Sequence, residues 1–153
     1  MNKLMIQPGL AVILLLVAAL SVALAAGEGG TRNSKYAPII EFLDEEEYQK
    51  AIDASKNALL KSPDDPDLFN YIAYSHRNLG QFEDAFVYYF KALEIDPHHR
   101  GANEYLGELY LQTGQLAEAQ ERLQVLDKEC FFPCGEYRDL KKAIEAYQKE
   151  NPA

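Results

Sequence analysis

The feature that most constrains the fold is a repeat with a period of about 34 residues, which appears when the stretch Pro66–His99 is slid along the chain. The pairs that this shift brings into register include Gly80 with Gly114, Ala85 with Ala119, Tyr71 with Tyr105, Pro97 with Pro63 and Phe82 with Tyr48. In repeat arrays of this period each unit buries its apolar face against its neighbours. The sequence therefore predicts a stack of similar units.

Each unit contains two amphipathic segments separated by helix-breaking residues. Apolar side chains recur at spacings of three and four residues, which predicts helices, and nothing after residue 25 has the pattern typical of strands. Gly80 and Gly114 fall between the segments, where the residue past a helix end often takes a left-handed conformation. The predicted helices lie near residues 37–43, 45–61, 68–79, 82–94, 101–113, 116–128 and 135–150. We therefore expect an all-α chain of stacked antiparallel helix pairs.

These residues closely resemble the tetratricopeptide repeat (TPR) family, and the central unit is the most complete copy. The places that the family fills with characteristic apolar, small, glycine, aromatic and proline residues are held here by Ile72, Ala73, Gly80, Phe82, Ala85, Ala92 and Pro97. The next unit matches with Leu106, Gly107, Gly114, Leu116 and Ala119, and the first unit matches only in its second half, with Tyr48, Ala51, Ala58 and Pro63. The resemblance implies a TPR-like α-solenoid closed by a C-terminal capping helix.

The hydropathy pattern and the resemblance together divide the chain into segments. The predicted segments are a signal peptide over 1–25, a flexible linker over 26–35, a partial first unit over 36–65, further units over 66–99 and 100–133, and a capping helix over 134–150. Ala73 and Ala85 are expected to let paired helices approach closely, because larger side chains would overpack the crossing. Phe82 and Tyr89 are expected to fill the space between successive pairs.

Arrays of this family present the first helix of each pair on a concave surface, so the resemblance implies a groove that binds a peptide or protein segment. The predicted groove residues are Asn70, Tyr74, Arg77, Asn78, Glu104, Glu108 and Gln112, with Asp67, Gly101 and Leu111 at the remaining groove places. A subset of the family holds a terminal carboxylate in this groove, but Glu104 and Glu108 would repel that group. We therefore expect a partner segment of mixed or basic character. The alternative is an ordinary polar helix face.

The N-terminal segment has the pattern of an export signal. Lys3 stands ahead of a charge-free run over residues 10–26, in which Ala23 and Ala25 resemble a cleavage site. We expect a signal peptide cut after Ala25 and a periplasmic protein in a Gram-negative-type cell envelope. The alternative is an uncleaved segment that anchors the domain in the membrane, facing the periplasm, although the run is at the short limit for spanning about 30 Å of hydrocarbon. Any membrane contact would be through this segment.

The two cysteines, Cys130 and Cys134, lie close together after the last repeat helix. In an exported protein such a pair is interpreted first as a disulfide. It would join the third unit to the capping helix, where the family's usual proline is missing. The alternative is a redox-active or metal-binding pair in a thiol- or metal-dependent assembly factor of the envelope. The spacing has one residue more than the thioredoxin-like motif.

Charge and the absence of catalytic motifs limit the remaining functions. The formal net charge is −9, and no basic patch suits nucleic acid or anionic lipid. His98 and His99 are adjacent and so do not share a helix face as metal ligands would, which favours a loop or helix-start role; His76 is expected in the packed core. No nucleophile motif, phosphate loop or zinc pattern is present. We therefore predict a non-enzymatic protein–protein interaction scaffold without a cofactor or metal.

Overall fold

The computed structural model describes residues 34–152, and every regular element in this part of the chain is helical. A 3-10 helix over Ser34–Tyr36 is followed by α1 (Ala37–Asp44), α2 (Tyr48–Leu59), α3 (Pro66–Asn78), α4 (Phe82–Ile95), α5 (Arg100–Gln112), α6 (Leu116–Glu129) and α7 (Gly135–Glu150). The predicted all-α fold class is confirmed. The predicted signal peptide and most of the predicted linker lie outside the described residues. Within residues 34–152, no helix is long and apolar enough to cross a membrane.

The helices form successive pairs, and each pair is joined by a short turn. The turns cover residues 45–47, 79–81 and 113–115, and they join α1 to α2, α3 to α4 and α5 to α6. The second helix of one pair packs against the first helix of the next, so that α2 contacts α3 and α4 contacts α5. The last helix, α7, packs on both α5 and α6. It therefore takes the place of the first helix of a fourth pair and caps the stack.

Glycine ends the first helix of the second and third pairs because the turn requires a left-handed residue. Gly80 and Gly114 have φ angles of 73° and 78°, which glycine adopts without a steric penalty. The amide of Gln81 donates to the carbonyl of His76 at 2.9 Å, and the turn after α5 repeats this bond at 2.7 Å. This closure is typical of helices that end at a left-handed residue. The conformation predicted from the two glycines is confirmed.

The first turn has the same geometry without a glycine. Its left-handed residue is Glu46, with a φ of 59°, and the amide of Glu47 donates to the carbonyl of Phe42 at 2.8 Å. Because residues 45–47 form this turn, α2 begins at Tyr48 and not at residue 45 as its acidic start suggested. A left-handed conformation costs a residue with a side chain about 1–2 kcal/mol relative to glycine. The first turn is therefore strained where the other two are not.

We expect Glu46→Gly to be more stable than Glu45→Gly by about 1 kcal/mol in the free energy of unfolding. Both positions are exposed, and both substitutions give the unfolded chain the freedom of a glycine. Only Glu46 has a positive φ, whereas Glu45 has a φ of −88°. Urea unfolding followed by circular dichroism measures the difference. Equal stability of the two variants would contradict the strain at Glu46.

The core lies between successive helix pairs and is organised around small residues. Ala73 and Ala85 are fully buried, which allows α3 and α4 to approach closely. Tyr89 is also fully buried, in a cluster that includes Leu106 of the third pair. Phe82 is only partly buried at the edge of this cluster. The packing roles predicted for the two alanines and for Tyr89 are confirmed.

The capping helix is held by close packing against α5 and α6. Leu140 of α7 is fully buried in a cluster with Leu111 and Leu126. A β-carbon built at Gly107 would lie 2.6 Å from Cδ2 of Leu140, which is closer than real side chains approach. The glycine therefore makes room for Leu140. The cap covers the apolar end of the third pair with the same kind of interface that joins the pairs to each other.

Candidate functional site

The seven predicted groove residues lie on the first helices of the second and third pairs. They are Asn70, Tyr74, Arg77 and Asn78 on α3, and Glu104, Glu108 and Gln112 on α5. Spacings of three and four residues place them on one side of each helix, and we call this side of α3 and α5 the groove face. Its most exposed members are Asn78 and Gln112, whereas Asn70 and Glu104 are buried.

An ion pair joins the two helices across the groove face. Nη1 of Arg77 on α3 lies 2.6 Å from Oε2 of Glu108 on α5. Only 9% of the Arg77 side chain is exposed, compared with 26% for Glu108. Loss of either partner would leave a charge that is largely removed from water without compensation, which is costly. Arg77 is therefore engaged in positioning α3 against α5 in the free protein and is not a free cation.

Three tyrosines lie beside this ion pair. The ring centroids of Tyr74 and Tyr105 are 4.9 Å apart, and those of Tyr48 and Tyr74 are 6.3 Å apart. The guanidinium carbon of Arg77 lies 5.4 Å from the Tyr74 centroid and 5.6 Å from the Tyr105 centroid, within the range of cation–π attraction. From the sequence only Tyr74 is assigned to the groove. Nothing in the sequence distinguishes Tyr48 and Tyr105 from the tyrosines of the core.

Asn70 is covered by the start of α5, which the repeat pattern does not predict. The residue is 4% exposed, and its Nδ2 atom would lie 3.2 Å from a β-carbon built at Gly101. Its Oδ1 atom is buried and accepts no hydrogen bond from residues 34–152. The reason for this burial is that Gly101 lets α5 begin close against α3. Asn70 is therefore an acceptor held inside the groove face and not an exposed amide.

Glu104 is buried in the groove face without a partner. The residue is 7% exposed, and it forms no hydrogen bond or ion pair with the described part of the chain. Burial raises the pKa of Glu104 to about 8, and the charges of Glu108, Asp139 and Glu136 add to this effect. The carboxyl group is therefore mainly protonated at pH 7.

The capping helix extends the charged part of this surface beyond α5. Arg100, Glu104 and Glu108 follow one another at four-residue spacing on α5. Nε of Arg100 lies 3.9 Å from Oε1 of Glu136 on α7, and both Glu136 and Asp139 act on the pKa of Glu104. These two acidic residues of α7 are missed from the sequence, because the repeat motif ends before α7 and gives that helix only the role of a cap.

His99 and His76 have structural roles. Nδ1 of His99 accepts a hydrogen bond from the amide of Ala102 at 3.0 Å and so caps α5. Its Nε2 lies 3.1 Å from Oδ1 of Asp67 on α3, and this contact lowers the pKa of the Asp67 carboxyl. The predicted helix-start role of His99 and the buried position of His76 are confirmed. Within residues 34–152, no group of three or more His, Cys, Asp or Glu side chains is arranged to hold a metal ion.

The two cysteines lie at the junction between α6 and α7. Cys130 directly follows α6, and Cys134 directly precedes α7. Their sulfur atoms are joined in the structure, and their Cα atoms are 5.7 Å apart, a separation typical of disulfides. The loop between them carries Phe131 and Phe132, which are 94% and 76% exposed. A disulfide in the native protein stays a prediction.

Comparison with known proteins gives a family match over the second half of the chain. Residues 76–144 match a family model described as tetratricopeptide repeat. The chain is also similar to the peroxisomal targeting signal receptor of Candida albicans, with 39% identity over 82 residues. These residues make up 54% of this chain but only 14% of the receptor, so the similarity is confined to a small part of that protein.

Solved structures with the same arrangement of helices include two complexes. The TPR2B domain of yeast Sti1, in a complex with pHsp70, has a TM-score of 0.68 at 17% identity, over 76% of this chain and 95% of that one. The type III secretion chaperone SycD of Yersinia enterocolitica, in complex with a peptide of the translocator YopD, has a TM-score of 0.62 at 18% identity, over 76% and 88% of the two chains. These likenesses show the fold. With the family model and the repeated residues, they support the assignment of the helical region to the tetratricopeptide repeat family.

Proposed function

We propose that the protein is an exported, non-enzymatic scaffold that binds a peptide or protein segment along the groove face. The observation that carries this proposal is the cluster of Tyr74, Tyr105, Arg77 and Glu108 on two adjacent helices. Tyrosine and arginine are enriched among the residues that contribute most to binding at protein interfaces. Here the rings contact each other and the arginine is held by its ion pair, so little conformational freedom remains to be lost on binding.

The chemistry of the groove face favours a protein partner over a nucleic acid. The formal net charge of −9 opposes binding to phosphate backbones. The Sti1 domain forms its complex with pHsp70, and SycD forms one with a YopD peptide. From those complexes we infer for this chain only that its partner is a protein or peptide segment. The aromatic and acidic side chains of this groove face suit a segment that carries both apolar and basic residues.

Export and a disulfide form the second part of the proposal. A signal peptide over residues 1–25 would deliver the chain to the periplasm, where disulfides persist. The bond between Cys130 and Cys134 would then tie the end of α6 to the start of α7. Because α7 also carries Glu136 and Asp139, the bond would help to hold these carboxylates beside the groove face. The role proposed for the cysteines is therefore structural.

The groove is tested by capturing partners from an envelope extract with the immobilised protein and with the variant Tyr74→Ala/Glu108→Gln. We expect the amount of captured partner to fall at least about 10-fold, because the variant removes a ring and a charge from the centre of the cluster. Val87→Ala is the matched control, since Val87 is 49% exposed on α4. Capture by the double variant at the level of the control would refute the groove proposal.

The disulfide proposed between Cys130 and Cys134 is tested by the variant Cys130→Ala. We expect this variant to lower the free energy of unfolding by about 2 kcal/mol without changing partner capture. The bond closes a short loop, so its loss restores freedom mainly to the unfolded chain. Urea unfolding of the variant, and of the wild-type protein with and without reductant, measures this effect. The reduced wild type should match the variant. A variant that keeps full stability but loses function would instead indicate thiol chemistry.

A further inference from the structure

We propose that Glu104 receives a lysine or arginine side chain of the bound partner, an inference that rests on the proposed function of the groove face. Glu104 is buried in the groove face, and only 7% of the residue is exposed. Among residues 34–152, no hydrogen bond or ion pair joins its carboxyl group to another side chain. A buried carboxyl group without a partner is costly to keep, so proteins normally satisfy such groups. The donor that completes this site would come from the partner.

A second unsatisfied acceptor lies at the equivalent place of the preceding unit. Asn70 is one repeat before Glu104, and its Oδ1 atom is buried without a hydrogen bond from residues 34–152. Ammonium and guanidinium groups carry donors only, so they match sites that offer acceptors only. The Oδ1 atom of Asn70 lies beneath the start of α5 and is closed to a partner, so of these two acceptors only Glu104 is offered to a bound segment.

The charges that surround Glu104 also favour a cation. On α5, Glu108 lies one turn after it and is neutralised by Arg77 of α3, while Arg100 lies one turn before it and is 55% exposed. On α7, Glu136 and Asp139 act on Glu104 as negative charges. Arg100 lies 3.9 Å from Glu136 and offsets part of that charge. The net charge of the side chains around Glu104 therefore stays negative. A cationic side chain is attracted to this place, whereas an anionic or neutral one is not.

A proton is displaced when the cation binds. In the free protein Glu104 keeps its proton at pH 7, because its pKa is raised to about 8 by burial and by its acidic neighbours. The incoming ammonium or guanidinium group interacts best with the carboxylate, so the proton leaves to solvent. Binding at pH 7 therefore releases close to one proton, and affinity rises roughly 100-fold between pH 6 and pH 9.

The experiment selects random dodecapeptides displayed on phage against the full chain at pH 8.5. Parallel selections use Glu104→Gln, which keeps the shape of the protonated side chain, and Glu145→Gln, which removes a charge from an exposed site on α7. We expect lysine or arginine at one position of the peptides that bind the wild type and Glu145→Gln. That preference should be absent from peptides that bind Glu104→Gln.

The coupling between cation binding and proton release at Glu104 is measured on one enriched peptide, by calorimetry in two buffers of different ionisation enthalpy. Replacing its lysine by norleucine should weaken binding to the wild type roughly 30-fold, and should change binding to Glu104→Gln less than about 3-fold. Proton release should occur with the wild type alone. If the norleucine peptide binds the wild type as tightly as the lysine peptide does, or if the replacement weakens binding to Glu104→Gln by as much as it weakens binding to the wild type, the inference is overturned.

The outcomes separate this inference from the proposed function. If no peptide is enriched, or if the enriched peptides bind Tyr74→Ala as well as the wild type, the groove face is not the binding surface and both ideas fail. If binding is lost in Tyr74→Ala but the peptides show no preference for lysine or arginine, the groove is retained and the role of Glu104 is refuted.

Discussion

Replacing Tyr89 by alanine is expected to lower the free energy of unfolding by about 4 kcal/mol. Its side chain is fully buried in the cluster between the second and third helix pairs. Loss of the ring removes this burial and leaves a cavity at the interface that aligns α3 and α5. Urea unfolding followed by circular dichroism measures the change. A cost below about 1 kcal/mol would mean that the interface between the pairs does not depend on this ring.

Tyr89→Phe is the matched control, and we expect it to be as stable as the wild type or more stable. The Tyr89 hydroxyl is buried and has no hydrogen-bond partner among residues 34–152. Burying a hydroxyl without a partner costs about 1–3 kcal/mol, so its removal relieves a penalty while the ring remains. If phenylalanine were as destabilising as alanine, the hydroxyl and not the ring would hold the interface.

The second large effect is a loss of stability with rising pH, which we expect to reach about 3 kcal/mol between pH 5 and pH 9. The pKa of Glu104 is raised from 4.5 to about 8 in the folded protein by burial, so the folded state binds a proton that the unfolded state releases. This contribution is fully present below pH 4.5 and is lost as pH rises through about 8. The measurement is a series of urea unfolding curves across this range.

Glu104→Gln isolates the contribution of this one group. The glutamine side chain does not titrate, so the variant should lose far less stability than the wild type between pH 5 and pH 9. The contact with His99 lowers the pKa of Asp67, so that carboxyl group affects stability at a pH below this window. Parallel curves for the wild type and Glu104→Gln would contradict the burial of a titrating carboxyl group at this place.

The fold is predictable from the sequence because its determinants are local and recur in every unit. Gly80 and Gly114 mark turns that need a left-handed residue, and Ala73 and Ala85 mark close helix contacts. The same logic fails at the first turn, where Glu46 adopts the left-handed conformation. There the packing of α1 and α2 imposes the turn on a residue whose own preference is different, and local propensity cannot reveal that.

The candidate site is predictable in its positions but not in its chemical state. Repeat places locate Arg77, Glu108 and Glu104 on the first helices, as the structure has them. The ion pair of Arg77 depends on the offset between α3 and α5, and the pKa of Glu104 depends partly on the acidic residues of α7. Both are consequences of how units pack against each other. Sequence reasoning treats each helix face by itself and therefore misses them.

The most direct test of partner binding at the groove face is photo-crosslinking in cells that express the protein. A photoreactive amino acid is placed at Asn78 or Gln112, which are exposed on α3 and α5, or at Val87, which is exposed on α4. We predict covalent adducts of the same partner from positions 78 and 112 and none from position 87. Adducts from position 87 alone would place the partner on α4 and contradict the groove.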